Sequence, residues 1–316
     1  MRSKIVRDPT DACVDIVLVP GWREEGQQAW THVSAEGKVA WPESFLGNLT
    51  PRARIITCDY DVELEDFWAT EEENRIDALS DDLSHEIRSV RASSKTTNRP
   101  VIFVAHSIGG VVVENFLIKA EEGRSAEKVL AKCVHRMALL GTPFHTDAAL
   151  WAKTGDKFYR LTGGSPGGSL EDDLSKSEKL AAVSKGFKAF VEKGTLEVAV
   201  FYEGKPSTVS GGVQEAITSL ATVKVPGAPS PTRLATTHQA MARAATAEDD
   251  HFRRISRVLV EWVEELSEED DVEKEAKKVA KFEGDNLGGF QLGFNDGTIN
   301  GGVNLGGAGG AKPRGG

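Results

Sequence analysis

The chain has 316 residues, of which 40% are hydrophobic and 27% charged, with a formal net charge of −10. This length and apolar content predict a folded chain with room for a large α/β core, and they exclude disorder throughout. The acidic balance, with no stripe of clustered lysine and arginine, argues against nucleic acid as a partner.

The first half of the chain alternates short apolar runs with longer segments of helical periodicity. Buried strands are predicted over residues 14–19, 54–58 and 101–105. Apolar residues spaced by three and four positions predict an amphipathic helix over 75–91. The apolar segment 111–120 follows the third strand at once and predicts a buried helix.

The second half repeats this alternation. We predict strands over 135–140 and 196–202, a last strand over 222–226, and helices over 176–191 and 251–266. Residues 145–175 are predicted to form a loop or lid-like insertion, 204–221 to be irregular or partly helical, and 227–238 to form a long loop. Because the strands are continuous apolar runs, a mostly parallel sheet covered on both faces is expected.

Composition divides the chain into three parts. Residues 1–266 are expected to form the α/β domain, and 267–282 a charged linker or a frayed extension of the last helix. Residues 283–316 are rich in glycine and asparagine, and 13 of the 32 glycines fall within 284–316. This last part has too little apolar surface to fold alone, so we expect it to be disordered in the monomer.

The cysteines and the apolar runs indicate in which cellular compartment the protein is expected. The three cysteines, Cys13, Cys58 and Cys133, are far apart in sequence, which predicts reduced thiols and favours a cytoplasmic protein. No cysteine or histidine pair has the spacing of metal ligands, so no metal and no cofactor is expected. The sequence shows neither a signal peptide nor an apolar stretch of 18 residues, so no membrane span is expected.

The segment VIFVAHSIGGVVV is the most informative part of the sequence. Ser107 lies between a predicted buried strand and a predicted buried helix, with Ala105 two residues before it and Gly109 two residues after it. This pattern is typical of the nucleophile elbow of α/β-hydrolases, with alanine in place of the first glycine. Small residues are needed there because the turn is tight and neighbouring backbones pass close to the serine.

A serine needs a base to act as a nucleophile, and this fold orders the residues as serine, acid, histidine. Glu203 at the end of a predicted strand is the candidate acid, and His238 before the last helix is the candidate base. His251 is the alternative base. Asp147, Asp249 and Asp250 are alternative acids. His106 adjoins the nucleophile, but its backbone direction is expected to carry it away.

An oxyanion hole is the third requirement of this chemistry. One donor is expected to be the backbone N–H of Ile108, which follows the nucleophile. The other is expected from the turn after the first strand of the predicted sheet. Pro20 has no N–H, so Gly21 or Trp22 must supply that donor.

With these residues assembled, the chain resembles the fungal SesB-like α/β-hydrolases, which are serine esterases or lipases associated with fungal NOD-like receptors. The resemblance covers most of residues 14–265. It rests on segments taken together: VDIVLVPGW, Trp30, Trp41-Pro42, Phe45-Leu46, RIITCDYD, AHSIGG, LLGTPF, FYE and THQAMAR. Two departures are Pro20, where the family commonly has histidine, and Ala105, where it commonly has glycine.

The C-terminal segment FEGDNLGGFQLGFNDGTINGG resembles the σ-type amyloid signalling motif carried by such hydrolases and by their receptors. Apolar and polar residues alternate along it, and Asn and Gln side chains form ladders when identical segments stack in register. The candidate motif residues are Phe290, Gln291, Leu292, Phe294, Asn295, Gly297, Ile299 and Asn300.

The sequence therefore predicts a serine hydrolase acting on a carboxylic ester or a lipid. The resemblance implies a cell-death effector in fungal non-self recognition, controlled by amyloid templating of the tail. Its partners would be a NOD-like receptor, or another protein with a matching motif, and further copies of itself. The alternative is a catalytically weak scaffold whose role is prion-like assembly.

Overall fold

A computed structural model of the chain describes residues 1–22, 29–60, 64–68, 75–123, 125–163 and 170–284. Contacts divide the chain into two units, Met1–Asp270 and Asp271–Gly316. The first unit contains a central sheet covered by helices. In the second unit the described residues, 271–284, are helical.

Eleven strands occur within the described residues. They are β1 (Arg2–Arg7), β2 (Val14–Val19), β3 (Thr31–Ser34), β4 (Gly37–Ala40), β5 (Ala53–Asp59), β6 (Val101–His106), β7 (Val134–Leu140), β8 (Glu197–Glu203), β9 (Ser207–Val209), β10 (Val213–Glu215) and β11 (Thr232–Leu234). Seven of them form one sheet in the order β1-β5-β2-β6-β7-β8-β11. Only β1 runs antiparallel to its neighbour, so the mostly parallel sheet predicted from the sequence is confirmed.

The helices lie mostly between successive strands of this sheet. They are α1 (Gly47–Leu49), α2 (Ile76–Ser93), α3 (Ile108–Glu122), α4 (Ser125–Lys132), α5 (Ala148–Leu161), α6 (Ser175–Val191), α7 (Leu220–Val223) and α8 (Asp250–Gly284). Shorter 3-10 or π turns cover Pro42–Leu46, Leu64–Trp68, Leu170–Asp172, Ser210–Gly212 and Gln239–Ala242. Among the described residues, none of these helices has the length and apolar character needed to cross a membrane.

Each face of the sheet packs against other elements to form its own apolar core, so the domain has two cores. Along β2, Val17 and Val19 pack into the core that contains α2, α3 and α6, while Ile16 and Leu18 pack into the core that contains the first part of α8. All six residues of β2 and all six of β6 are buried. Burial on both faces explains why these strands are continuous apolar runs rather than alternating ones.

Two sequence-based assignments are wrong. Residues 148–161, predicted as loop, form α5, because Asp147 caps the first turn by accepting from the backbone N–H of Ala149 and of Leu150. The last sheet strand is β11 rather than 222–226. The valines of that segment, Val223 and Val225, are buried at the end of α7 and just after it.

Two further features were not predicted. The edge strand β1 pairs with β5. Its residues are exposed or only partly buried, so its sequence lacks the apolar pattern that predicts a strand. Two small hairpins, β3–β4 and β9–β10, also form. Helix α8, predicted over 251–266, begins at Asp250 and continues through the predicted linker 267–282 to Gly284, so this segment is helical, as the alternative allowed.

Candidate active site

Ser107 occupies a strained turn between β6 and α3. Its φ is 54° and its ψ is −133°, which is a rare conformation for a residue with a side chain. The turn is held by backbone contacts: the Ser107 N–H donates to the Leu140 carbonyl at 2.8 Å. The Ser107 carbonyl accepts from the Gly110 N–H and from the Thr142 hydroxyl, each at 3.0 Å. These hydrogen bonds to Leu140 of β7, to Thr142 after it and to Gly110 hold Ser107 in its strained conformation.

The small residues around Ser107 are required by close approach, as the sequence predicts. A Cβ on Gly21 would lie 2.6 Å from Ser107 Cβ and 2.9 Å from the His106 carbonyl oxygen. A Cβ on Gly110 would overlap the side chain of Thr142. The turn after β2 therefore packs directly against the nucleophile elbow, with no room for a methyl group.

His238 lies in the segment between β11 and α8. Its Nε2 is 3.0 Å from Ser107 Oγ, and its side chain is buried. The ring of Phe158, on α5, packs edge-on against the His238 ring with centroids 5.3 Å apart. This arrangement allows the Ser107 hydroxyl to donate to His238 Nε2 when the imidazole proton is on Nδ1.

Glu203 ends β8 and lies behind His238. Its Oε2 is 3.4 Å from His238 Nδ1, and both of its oxygens also accept from Thr218, one from the backbone N–H and one from the hydroxyl. Burial would raise the pKa of Glu203. The charge of His238 and the hydrogen bonds from His238 and Thr218 outweigh that burial and lower the pKa to about 2. Glu203 is therefore ionised at neutral pH.

The residues considered as the alternative base and the alternative acids have other hydrogen-bond or ion-pair partners. His251 Nε2–H donates to the Arg243 carbonyl at 2.7 Å. Asp147 caps α5, and Asp249 accepts from the backbone N–H of Ala245 and Thr246. Asp250 forms an exposed ion pair with Arg254 on α8.

Two of the three predicted oxyanion residues, Gly21 and Ile108, lie at the elbow. Ile108 is buried and begins α3, where the first N–H groups of a helix have no partner within the helix. Gly21 lies against Ser107, and Trp22 is partly buried against the core on the α2–α3 face. The carbonyl of Pro20 accepts from the Tyr60 hydroxyl at 2.5 Å, which holds this turn in place.

Two residues near the triad were not singled out by the sequence analysis as parts of the site. Thr218 follows β10 and binds Glu203, although nothing in its sequence context indicates a partner 15 positions away. His106 was expected to point away from the site. Its side chain lies instead against His238, with ring centroids 5.0 Å apart.

The predicted motif in the tail, from Phe290 to Asn300, lies outside the described residues. Within the part of the chain that is described, no group of three or more histidine, cysteine, aspartate or glutamate side chains is arranged to hold a metal ion.

A serine raised on such a turn, followed along the chain by an acid and then by a histidine that meets it in space, is the arrangement of the α/β-hydrolase fold. The parallel sheet and its crossover helices agree with that fold. The chain therefore has the α/β-hydrolase fold, with a serine, a glutamate and a histidine in the order and place where that fold holds a nucleophile, an acid and a base.

Comparison with known proteins gives distant relatives. No protein-family model matches the chain. Protein SERAC1 of Bos taurus is 25% identical over 202 residues, which cover 61% of this chain and 29% of that protein. Protein SERAC1 of Homo sapiens is 30% identical over 217 residues, which cover 63% of this chain and 32% of that protein. The match thus spans about a third of the length of these relatives.

Two solved structures are also similar. Carboxyl esterase 2 of the mycorrhizal fungus Tuber melanosporum is 13% identical, with a TM-score of 0.47, and the match covers 81% of this chain and 78% of that one. A soluble variant of monoglyceride lipase from Saccharomyces cerevisiae is 11% identical, with a TM-score of 0.44, and the match covers 84% and 90%. Because both TM-scores are below 0.5, the fold assignment rests on the strand order and the elbow.

Proposed function

We propose that this chain is a serine hydrolase that cleaves a carboxylic ester or a lipid acyl ester, with Ser107 as nucleophile, His238 as general base and Glu203 as the acid that orients His238. One observation carries the proposal. Ser107 Oγ lies 3.0 Å from His238 Nε2, on the strained turn where a nucleophile is expected.

In the first step, Ser107 Oγ attacks the ester carbonyl carbon while His238 Nε2 takes the hydroxyl proton. Ionised Glu203 holds the proton on His238 Nδ1, so that Nε2 is free to accept, and it stabilises the imidazolium that forms. His238 then gives its proton to the leaving alcohol, and an acyl-enzyme remains on Ser107. Water, activated by the same histidine, hydrolyses that intermediate.

The oxyanion that forms in each step needs hydrogen-bond donors placed in advance. We assign these to the backbone N–H of Ile108 and to the backbone N–H of Gly21 or Trp22. A single donor of this kind contributes roughly 3–4 kcal/mol to the transition state. The close packing of Gly21 on Ser107 supports this assignment, because it brings the turn after β2 to the nucleophile.

An acyl group is the substrate class that the surroundings favour. The ring of Phe158 packs against the His238 ring. The methyl group of Met241 also lies near that ring, because a Cβ on Gly141 would be 2.5 Å from the methyl carbon and 2.9 Å from His238 Cε1. Apolar side chains next to the catalytic histidine suit an acyl chain better than a charged substrate.

The test is labelling by a fluorophosphonate together with hydrolysis of p-nitrophenyl esters. Wild-type protein should react in both assays, and Ser107→Ala should lose both. Ser93→Ala, an exposed serine on α2, is the matched control and should behave as wild type. Equal labelling of wild type and Ser107→Ala would contradict the proposal.

The biological role that we propose rests on the sequence resemblance and on the tail. A cytoplasmic receptor of the NOD-like class, with a matching motif, would template cross-β assembly of residues 283–316. Assembly would cluster the hydrolase and start a cell-death or defence response. A peptide of residues 283–316 should form thioflavin-positive fibres and seed the full chain. A peptide that stays soluble would remove this part of the proposal.

The alternative function is a scaffold with little activity, whose role is assembly alone. Pro20 motivates it, because proline in the turn after β2 removes one N–H from the region of the oxyanion hole. A folded protein that forms fibres but does not react with the fluorophosphonate would favour this alternative.

A further inference from the structure

His106 is the last residue of β6 and directly precedes the nucleophile. It is 6% exposed, and its Nε2 lies 2.9 Å from the backbone carbonyl oxygen of His238. The Trp30 ring packs against the His106 ring in a T-shaped arrangement, with centroids 6.4 Å apart. The side chain therefore connects the nucleophile strand with the main chain of the base, although the two residues are 132 positions apart.

This contact determines the tautomer of His106. A carbonyl oxygen only accepts, so Nε2 must carry the proton and donate it. Burial lowers the pKa of His106 to about 3, and the nearby His238 and Arg243 lower it too; the hydrogen bond to His238 and the charge of Glu203 act in the opposite direction but do not outweigh them. The ring is neutral at pH 7, and its Nδ1 carries a lone pair.

The unprotonated Nδ1 lies on the side of the predicted oxyanion turn. A Cβ on Gly21 would be 3.2 Å from it. His106 thus contacts both segments that must be aligned with Ser107, the one that carries the base and the one that carries a candidate oxyanion donor.

We propose that His106 is a positioning residue of the hydrolase site, whose Nε2–H holds the backbone of His238 so that the imidazole stays in reach of Ser107 Oγ. This inference rests on the proposed function. It assigns no proton transfer to His106, because its one donor is occupied by a carbonyl oxygen. The role needs the hydrogen bond and not only the volume of the ring.

Two substitutions separate these requirements. His106→Phe keeps a ring of similar size but removes the donor. His106→Gln removes the ring but places an amide N–H at about the reach of Nε2. If His106 only filled space, the phenylalanine variant would be the better tolerated of the two.

We expect the opposite result in ester hydrolysis. His106→Phe should lower kcat about tenfold, which corresponds to the loss of one hydrogen bond in the aligned site, and should leave KM within about twofold. His106→Gln should recover most of that loss. A phenylalanine variant with the kcat of wild type, or a glutamine variant that loses as much as phenylalanine, would overturn the proposal.

A measurement on unmutated protein does not depend on activity or on the folding of a variant. Nitrogen NMR spectra of ¹⁵N-histidine-labelled protein distinguish the two neutral tautomers. His106 should carry its proton on Nε2 and should not titrate between pH 5 and 8. A proton on Nδ1, or titration in that range, would overturn the proposal.

The two proposals fail in different ways. Equal fluorophosphonate labelling of wild type and Ser107→Ala would overturn the hydrolase function, and the NMR spectra would still decide whether His106 donates to His238. Normal labelling of wild type combined with the wrong tautomer would overturn only the role of His106.

Discussion

The carbonyl group of Pro20 occupies the space into which a side chain on Gly109 would project. A Cβ on Gly109 would overlap the Pro20 carbonyl oxygen and would lie 2.7 Å from its carbon. On its other side, the same carbonyl accepts from Tyr60. The start of the nucleophile helix and the turn after β2 are therefore packed backbone to backbone, and neither can move without moving Ser107.

This packing predicts that Gly109→Ala damages both stability and activity. Overpacking against a backbone carbonyl costs about 1–3 kcal/mol, and the displaced turn misplaces the Gly21 and Ile108 N–H groups. Urea unfolding and ester hydrolysis measure the two effects.

Gly186→Ala on α6 is the matched control, because its Cβ would come nearest to side-chain atoms, those of Ile118 at 2.8–3.3 Å, rather than to a backbone carbonyl. That control should keep wild-type kcat. Wild-type stability and kcat in Gly109→Ala would contradict the packing argument.

The hydroxyl of Thr218 should contribute to the lowered pKa of Glu203, together with His238. Thr218→Val removes that hydrogen bond and keeps the shape of the side chain, whereas Thr218→Ser keeps the hydroxyl. We expect the valine variant to lose about 1–3 kcal/mol of stability at pH 7 and to have a lower kcat. The serine variant should remain close to wild type in both.

The pH dependence follows from the lowered pKa of Glu203. An acid with a lowered pKa in the folded state stabilises the fold above its ordinary value of 4.5, and this contribution is lost as the pH falls toward about 2. Thr218→Val raises that pKa, so its unfolding free energy should fall less steeply over this range. An unchanged slope in urea titrations would show that the hydroxyl does not act on Glu203.

Glu114 on α3 should destabilise the fold at neutral pH. It is fully buried, neither carboxyl oxygen has a hydrogen-bond partner among the described residues, and burial raises its pKa well above the ordinary value. An acid with a raised pKa stabilises the folded state most below pH 4.5, and that contribution is lost as the pH rises. Stability should therefore decline from about pH 4.5 upward.

Two variants separate the charge from the polarity of Glu114. Glu114→Gln removes the titration but keeps unpaired polar atoms, so the pH-dependent decline should disappear. Glu114→Met also removes the polar atoms, and it should be more stable than wild type at pH 7 by about 1–3 kcal/mol. Urea unfolding between pH 4 and 8 measures both, and a methionine variant less stable than wild type at pH 7 would contradict this account.

Asp15 should be among the residues most important for stability. Its buried carboxylate accepts from three guanidinium groups, with contacts of 2.8 Å to Arg54, 2.5 Å to Arg91 and 3.1 Å to Arg99. Asp15→Asn leaves these charges without their shared partner, and such losses typically cost about 3–5 kcal/mol. Asp250→Asn, which breaks the exposed pair with Arg254, should cost less than about 1 kcal/mol. Similar unfolding midpoints for the two variants would contradict this prediction.

Local signals made the central strands and the elbow predictable. β2 and β6 are continuous apolar runs because both faces are covered, and Ser107 stands between a strand and a helix with small residues on either side. The positions of Glu203 and His238 followed from the order of residues that the elbow implies, and the structure brings His238 to Ser107 and Glu203 to His238.

The features that were missed depend on contacts distant in sequence. His106 binds the main chain of a residue 132 positions away, and no local pattern contains that information. β11 has three residues, and only its parallel pairing with β8 makes it a strand. Val223 and Val225 suggested a strand because they are β-branched, but their burial comes from packing at the end of α7.

The two ends of strand β2 contribute to different properties of the protein, stability at one end and the geometry of the nucleophile at the other. Near the amino end, Asp15 binds three arginines. Just beyond the carboxyl end, the Pro20-Gly21 turn packs against Ser107. The distance from Asp15 to Pro20 is about 16 Å at the usual rise per strand residue. Energetic effects at such separations are usually additive. Substitutions at Asp15 should therefore act on turnover only through the stability of the fold, whereas substitutions at Gly21 also displace the nucleophile directly, so a lineage can lose turnover while it keeps the fold.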